Sequence, residues 1–195
     1  MGDRFEWNTH QTITSIQQAK NESECHLIKR PRSFFIKGNY QNINKLSREE
    51  LIVKSCSNVR SKVASSEEFN GWDFKNLYNV PTLFQEKISG KDVRVHICGN
   101  NFWSLLVSTK DCLDYRYSTK GSVNYKLFKL PKCVVKFCYS VAKIEKNKFV
   151  GIDLMKSKNG YFCLESNPGP GWSTFNHSSK KKFSQTVLEE LSKAN

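Results

Sequence analysis

The chain has no apolar run of about eighteen residues, and its first residues, MGDRFEWNTHQ, lack the apolar core of a signal peptide. Neither a membrane-spanning helix nor a secretory leader is expected, and a cytoplasmic home follows. The seven cysteines, at 25, 56, 98, 112, 133, 138 and 163, contain no CxxC pair and do not cluster with the four histidines. An odd, scattered set of this kind indicates neither a disulfide scaffold nor a zinc site. Cys98, Cys138 and Cys163 fall inside apolar patterns, where a free thiol acts as a small buried hydrophobe in a reducing compartment. The phosphate-binding P-loop, the Rossmann glycine fingerprint and internal repeats are also missing.

Acidic residues are in short supply, 18 against 31 Lys and Arg, which leaves a formal charge of +13. The resulting isoelectric point, near 9.5, favours an anionic partner: nucleic acid, a membrane surface, a nucleotide polyphosphate or an acidic peptide. Charge does not choose among them. The densest run, Lys180-Lys181-Lys182, stands beside a short helical pattern, SQTVLEELSKA, and reads as a solvated surface. Interleaved RNP-like aromatics and a basic recognition helix are both lacking, which disfavours nucleic acid.

What is present is enough apolar material, 38% with thirteen Phe in 195 residues, for one core or two small lobes. Residues 1–31 are polar and weakly periodic and are expected to form an arm or remnant. Short apolar runs, RSFFIKG and EELIVKSC, flank an expected helix in INKLSREEL. A Ser- and Asn-rich loop from 55 to 79 contains one strand, RSKVAS. Three strands then follow in PTLFQEKI (81–88), DVRVHIC (92–98) and FWSLLVS (102–108), the last two joined by a hairpin turn at Gly99-Asn100-Asn101. Pro131 opens a helix through KCVVKFCYSVAKIEK, whose residues 134, 137, 138, 141 and 142 or 144 share a face. A final hairpin pairs FVGIDLM (149–155) with YFCLES (161–166). This order predicts a mixed α+β architecture and not a doubly wound parallel sheet.

In the last hairpin, strand alternation can place Asp153, Glu165 and Asn167 on one face. Two adjacent carboxylates repel unless a cation neutralises them, and carboxylate and amide oxygens completed by phosphate are what magnesium prefers. On spacing alone, the same residues are ordinary solvent-facing groups near a turn.

The string GIDLM…YFCLESNPGPGW resembles the metal-binding hairpin of ATP-grasp enzymes, and three further motifs stand ahead of it in the right order. LIVKS (51–55) resembles the strand whose lysine contacts the α- and β-phosphates, here Lys54. LFQEKISGKDVRV (83–95) resembles the hinge that receives adenine. Together with DYRY, these strings are most similar to the ATP-grasp maturases of ribosomal peptides, of the graspetide or microviridin type, whose relatives include the RimK-like glutamate ligases. The similarity runs from about Arg32 to Phe175.

The resemblance implies an ATP-grasp fold: two α+β lobes with antiparallel sheets clasping the nucleotide, truncated at the N-terminus. The small lobe would span 32–88, the larger lobe 89–178 and a basic helix 179–195. It implies ATP and Mg2+ as cofactors, with Asp153, Glu165 and Asn167 holding the metal. Gln85, Glu86, Lys87 and Ile88 would line adenine, and Asp92 would take the ribose hydroxyls. Arg94 and Arg116 match arginines of the family motifs, and their guanidinium forks suit phosphate and carboxylate. Without the motif, Arg94 reads as the solvent face of a strand. Arg60 lies where a phosphate-covering loop is expected and reads equally as a mobile surface residue, while Asp114 either orients Arg116 or caps a turn. His96 and His177 are left outside the site, and the tryptophans are assigned to the core.

The implied activity is carboxylate activation as an acyl phosphate, then attack by an amine or hydroxyl, on an acidic precursor peptide or protein. The alternative is a nucleotide-binding accessory or regulatory module without turnover. Family members usually carry a further N-terminal domain, so either this is a minimal form or a second copy or partner subunit supplies that surface.

Overall fold

A computed structural model describes residues 14–36, 51–55, 63–65, 82–109, 118, 122–171, 175 and 182–193. They form two sheets. The first is four-stranded and antiparallel, in the order β2–β5–β3–β4, from Ser33–Ile36 (β2), Leu51–Ser55 (β3), Val63–Ser65 (β4) and Thr82–Glu86 (β5). The second is six-stranded, in the order β1–β10–β9–β6–β7–β8. Its strands are Ile28–Lys29 (β1), Lys91–Cys98 (β6), Asn101–Ser108 (β7), Asn124–Leu127 (β8), Phe149–Ser157 (β9) and Gly160–Asn167 (β10). All its pairings are antiparallel except β1 with β10. This mixed α+β order is the one expected from the strand and helix signals.

Helix α1 covers 14–23 of the described residues, α2 spans Lys132–Ile144 and α3 spans Lys182–Ser192. Pro131, with φ −58°, stands at the N-cap of α2, where its missing N–H costs nothing. The helix buries Val134, Phe137, Cys138, Val141 and Ala142, as the sequence period predicts. Those side chains share one core with Val93, Val95, Ile97, Ile152 and Leu154 from β6 and β9. Because α2 links β8 to β9 across this back face, β9 returns on the far side of β6, away from β7.

The segment read as a polar arm differs from that expectation wherever it is described. Ile16, Ala19, Cys25 and Ile28 are buried in the same core as α2, and β1 extends the sheet beside β10. Four apolar side chains are too few to show a period, so it is tertiary packing that orders this segment. Its docking depends on Gly160, at φ +116°, where an added Cβ would lie 2.6 Å from the Leu27 carbonyl oxygen. That carbonyl accepts the Tyr161 N–H at 2.8 Å. Gly160→Ala is expected to cost at least about 2 kcal/mol of unfolding free energy in urea titration, through both clash and left-handed backbone strain.

The opposite, front face of the large sheet has its own apolar cluster at one end. Phe175 and the α3 residues Phe183 and Val187 pack there on Cys98, Leu105 and Phe149, with Trp103 and Tyr125 at its margin. Residues 43–50 of the helix expected in INKLSREEL lie outside the described residues, and its last residue, Leu51, begins β3. Among the described residues no helix is long and apolar enough to cross a membrane.

Candidate functional site

Beyond that apolar cluster, the front face becomes charged. Alternation along β6 turns Asp92, Arg94, His96 and Cys98 to this face, opposite the buried Val93, Val95 and Ile97. Arg94 stands across from Asp153 on β9, and Asp153 stands across from Glu165 on β10. Three charged side chains therefore form a row across three neighbouring strands. The guanidinium binds Asp153 with both arms, Nε to Oδ1 at 2.8 Å and Nη2 to Oδ2 at 3.1 Å. Both side chains are about a quarter exposed, so the pair is only partly screened by water.

The alignment of Glu165 with Asp153 requires an irregularity. Cys163 pairs with Leu154 and Glu165 with Asp153, leaving Leu164 as an extra residue on β10. A regular ladder would place Leu164 opposite Asp153 and turn Glu165 to the back face. The bulge thus puts Glu165, and two residues later Asn167, on the face of Arg94 and Asp153. Asn167 stands across from Gly151, which in turn stands across from His96.

Gly151 is needed for close approach: a Cβ there would lie 2.5 Å from the Cβ of Pro170. The chain after β10 folds back so that buried Pro170 rests on the sheet beside His96. Asn167 Oδ1 accepts the Gly169 N–H at 2.9 Å, which fixes the start of this return.

Two carboxylates and an amide oxygen suit a hard cation that completes its shell with water and phosphate. Each carboxylate oxygen of Asp153 has a lone pair beyond the one Arg94 uses, and Asn167 Oδ1 likewise keeps one. No group of three or more His, Cys, Asp or Glu that could hold a metal ion gathers among the described residues.

On the small sheet, Lys54 stands across from Leu83 and Ile52 across from Gln85, which places Lys54 and Gln85 on one face. Gln85 is buried, and its Nε2 donates to Ser33 Oγ at 3.1 Å. Its Oε1 is buried and has no hydrogen-bond partner among the described residues. A buried acceptor left this way is costly, and a ligand N–H donor would satisfy it. Glu86 points to the other face. Its carboxylate accepts the Arg32 backbone N–H at 3.1 Å and lies 3.5 Å from the Arg32 guanidinium. Lys87 is exposed and Ile88 half-buried in the segment leading to β6. Arg60 and Arg116 lie outside the described residues.

His96, which the sequence reading set aside, is 1% exposed and two residues from Arg94 on the same face. Its ring is edge-on to Phe175, with centroids 4.0 Å apart, and packs on Phe149 and Phe183. Neither ring nitrogen has a partner among the described residues. Burial, reinforced by the Arg94 charge and opposed by Asp153, pushes its pKa down to about 3, so the imidazole is neutral at pH 7. The signal available in the sequence was its two-residue spacing from Arg94.

No protein-family model matches the chain. A probable alpha-L-glutamate ligase of Coxiella burnetii is 27% identical over 117 residues, which are 58% of this chain and 39% of that protein. The chain thus spans about two-fifths of that relative's length. The macrocyclase MdnC of Microcystis aeruginosa, bound with its precursor peptide MdnA, superimposes with a TM-score of 0.71 at 17% identity, over 99% of this chain and 63% of that one. The ATP-grasp ligase PsnB, complexed with a variant minimal precursor, Mg and ADP, gives 0.69 at 17% identity, over 96% and 60% of the two chains. Both likenesses extend over nearly all of this chain, including the sheet that carries Arg94, Asp153 and Glu165: the protein has the ATP-grasp fold.

Proposed function

We propose that the chain is the nucleotide-binding and catalytic part of an ATP- and Mg2+-dependent ligase, which activates a side-chain carboxylate of a peptide or protein for amide or ester formation. The observation that carries this reading is the row Arg94–Asp153–Glu165, with Asn167 on the same face. In this reading residues 32–88 are the small lobe and 89–178 the larger one.

Magnesium, when bound, would offset charge on the phosphates of ATP and on the transferring phosphoryl group. Asp153, Glu165 and Asn167 would hold it. Arg94, fixed in orientation by Asp153, would turn its guanidinium charge to an anionic phosphoryl or acyl oxygen. Lys54 would contact the phosphates from the small sheet, joined by Arg60. Gln85 Oε1 would accept an adenine amino N–H, with Glu86 (through its backbone), Lys87 and Ile88 along the base and Asp92 at the ribose. Arg116 would be a second anion-binding arginine. The +13 charge would attract an acidic precursor peptide.

The test is release of ADP and phosphate by the full chain, with and without Asp/Glu-rich peptides. Peptide-stimulated turnover is expected, and Glu165→Gln should lower it by about 10²-fold or more. ATP binding without turnover under any acceptor would overturn the ligase reading and leave a nucleotide-binding accessory module.

A further inference from the structure

Two of the cysteines that the sequence leaves unassigned meet on the back face. Cys25 lies in the turn between α1 and β1 and is 1% exposed, while Cys133, the second residue of α2, is half-buried. Their sulfur atoms are 2.7 Å apart although the residues are 108 positions apart in sequence. A disulfide bond is about 2.05 Å long, so bonding requires a sulfur displacement of less than about 1 Å.

We propose that Cys25 and Cys133 form a reversible disulfide that fastens the α1–β1 segment to α2, with a low-molecular-weight disulfide as the oxidant. The half-buried Cys133 is the point of entry. Its thiolate attacks the external disulfide, displacing one thiolate and leaving a mixed disulfide on Cys133. The Cys25 sulfur then attacks the Cys133 sulfur and expels the second small thiolate. The two protons lost from the cysteines go to the two thiols released, and the external disulfide is reduced by two electrons. Cys25, 1% exposed, is closed to an external disulfide but already lies beside the Cys133 sulfur, which assigns it the resolving step.

The bond would close a long loop and restrict the unfolded chain. It would also clamp the segment whose β1 strand pairs with β10. The inference stands apart from the ligase reading, since both thiols pack against the back-face core and not against Arg94 or Asp153.

The full chain is incubated with oxidised glutathione, alkylated, digested with trypsin and mapped by mass spectrometry. The expected product links peptide 21–29 to peptide 133–136, with a mass lower by about 2 Da than the two reduced peptides, and dithiothreitol reverses it. Oxidised wild type should melt about 5 °C or more above reduced wild type. Cys133→Ser should abolish both effects, and because that side chain is half-buried, it serves where Cys25→Ala does not fold. A persistent glutathione adduct on Cys133, cross-links at other cysteines, or a link without a melting shift would each overturn the proposal.

Discussion

Asp153→Asn is expected to lower ATP-dependent turnover by about 10²- to 10³-fold, comparable to the loss of one preorganised electrostatic contact in other active sites. The substitution keeps the size of the side chain but removes two functions at once. The proposed magnesium site loses an anionic oxygen, and Arg94 loses the carboxylate that accepts both Nε–H and Nη2–H. An amide offers one acceptor to that fork, and its NH2 group is repelled by the guanidinium. Because the pair is about a quarter exposed, the stability cost is smaller, about 1–2 kcal/mol. Thermal melts and steady-state phosphate release therefore separate: a folded protein with strongly reduced turnover is the expected result. Arg94→Lys supplies the control, since a point charge cannot hold both carboxylate oxygens in the fork geometry. Full turnover in folded Asp153→Asn would remove Asp153 from the site.

The elements that carry this row were legible because their sequences have one dominant period. DVRVHIC alternates cleanly, and the same alternation that buries Val93, Val95 and Ile97 presents Arg94. The α2 stripe is equally regular. Strict alternation would keep Glu165 on the face of Cys163, so its common face with Asp153 comes from a register irregularity that the sequence does not show. An extra residue at Leu164 leaves no mark in a short strand, since pairing register is a property of two strands together. Strand β8, NYKL, shows one half-buried residue among exposed ones, so it carries no alternation to read. Its position comes from the free edge of β7. Strand β1 is two residues long and exists through β10, the bonded Leu27 carbonyl and the space at Gly160. The histidine was passed over for a different reason: residue type and strand context do not reveal that three phenylalanines from β9, the segment after β10 and α3 enclose its ring.

That enclosure gives His96 a measurable effect on stability. With a folded pKa of about 3 and an unfolded value of about 6.5, the unfolded chain binds more protons at every pH between the two. The stability associated with neutral His96 is fully present above pH 6.5 and is lost as pH falls toward 3. Between pH 7.5 and pH 5 the loss from this residue is about 2 kcal/mol, at 1.36 kcal/mol per pH unit over about 1.5 effective units. Other groups also contribute to the acid-side pH dependence, so the quantity to measure is the difference in pH dependence between wild type and His96→Phe. A phenyl ring keeps contact with Phe149, Phe175 and Phe183 and removes two buried nitrogens that have no partner among the described residues. The variant is expected to be at least as stable as wild type at pH 7.5 and to lose about 2 kcal/mol less on acidification to pH 5, in urea titrations at both values. Parallel pH profiles for the two proteins would show that His96 is protonated as readily in the folded state as in the unfolded one. Because the folded protein keeps His96 neutral down to about pH 3, turnover on this limb should follow the folded fraction and fall less in His96→Phe than in wild type.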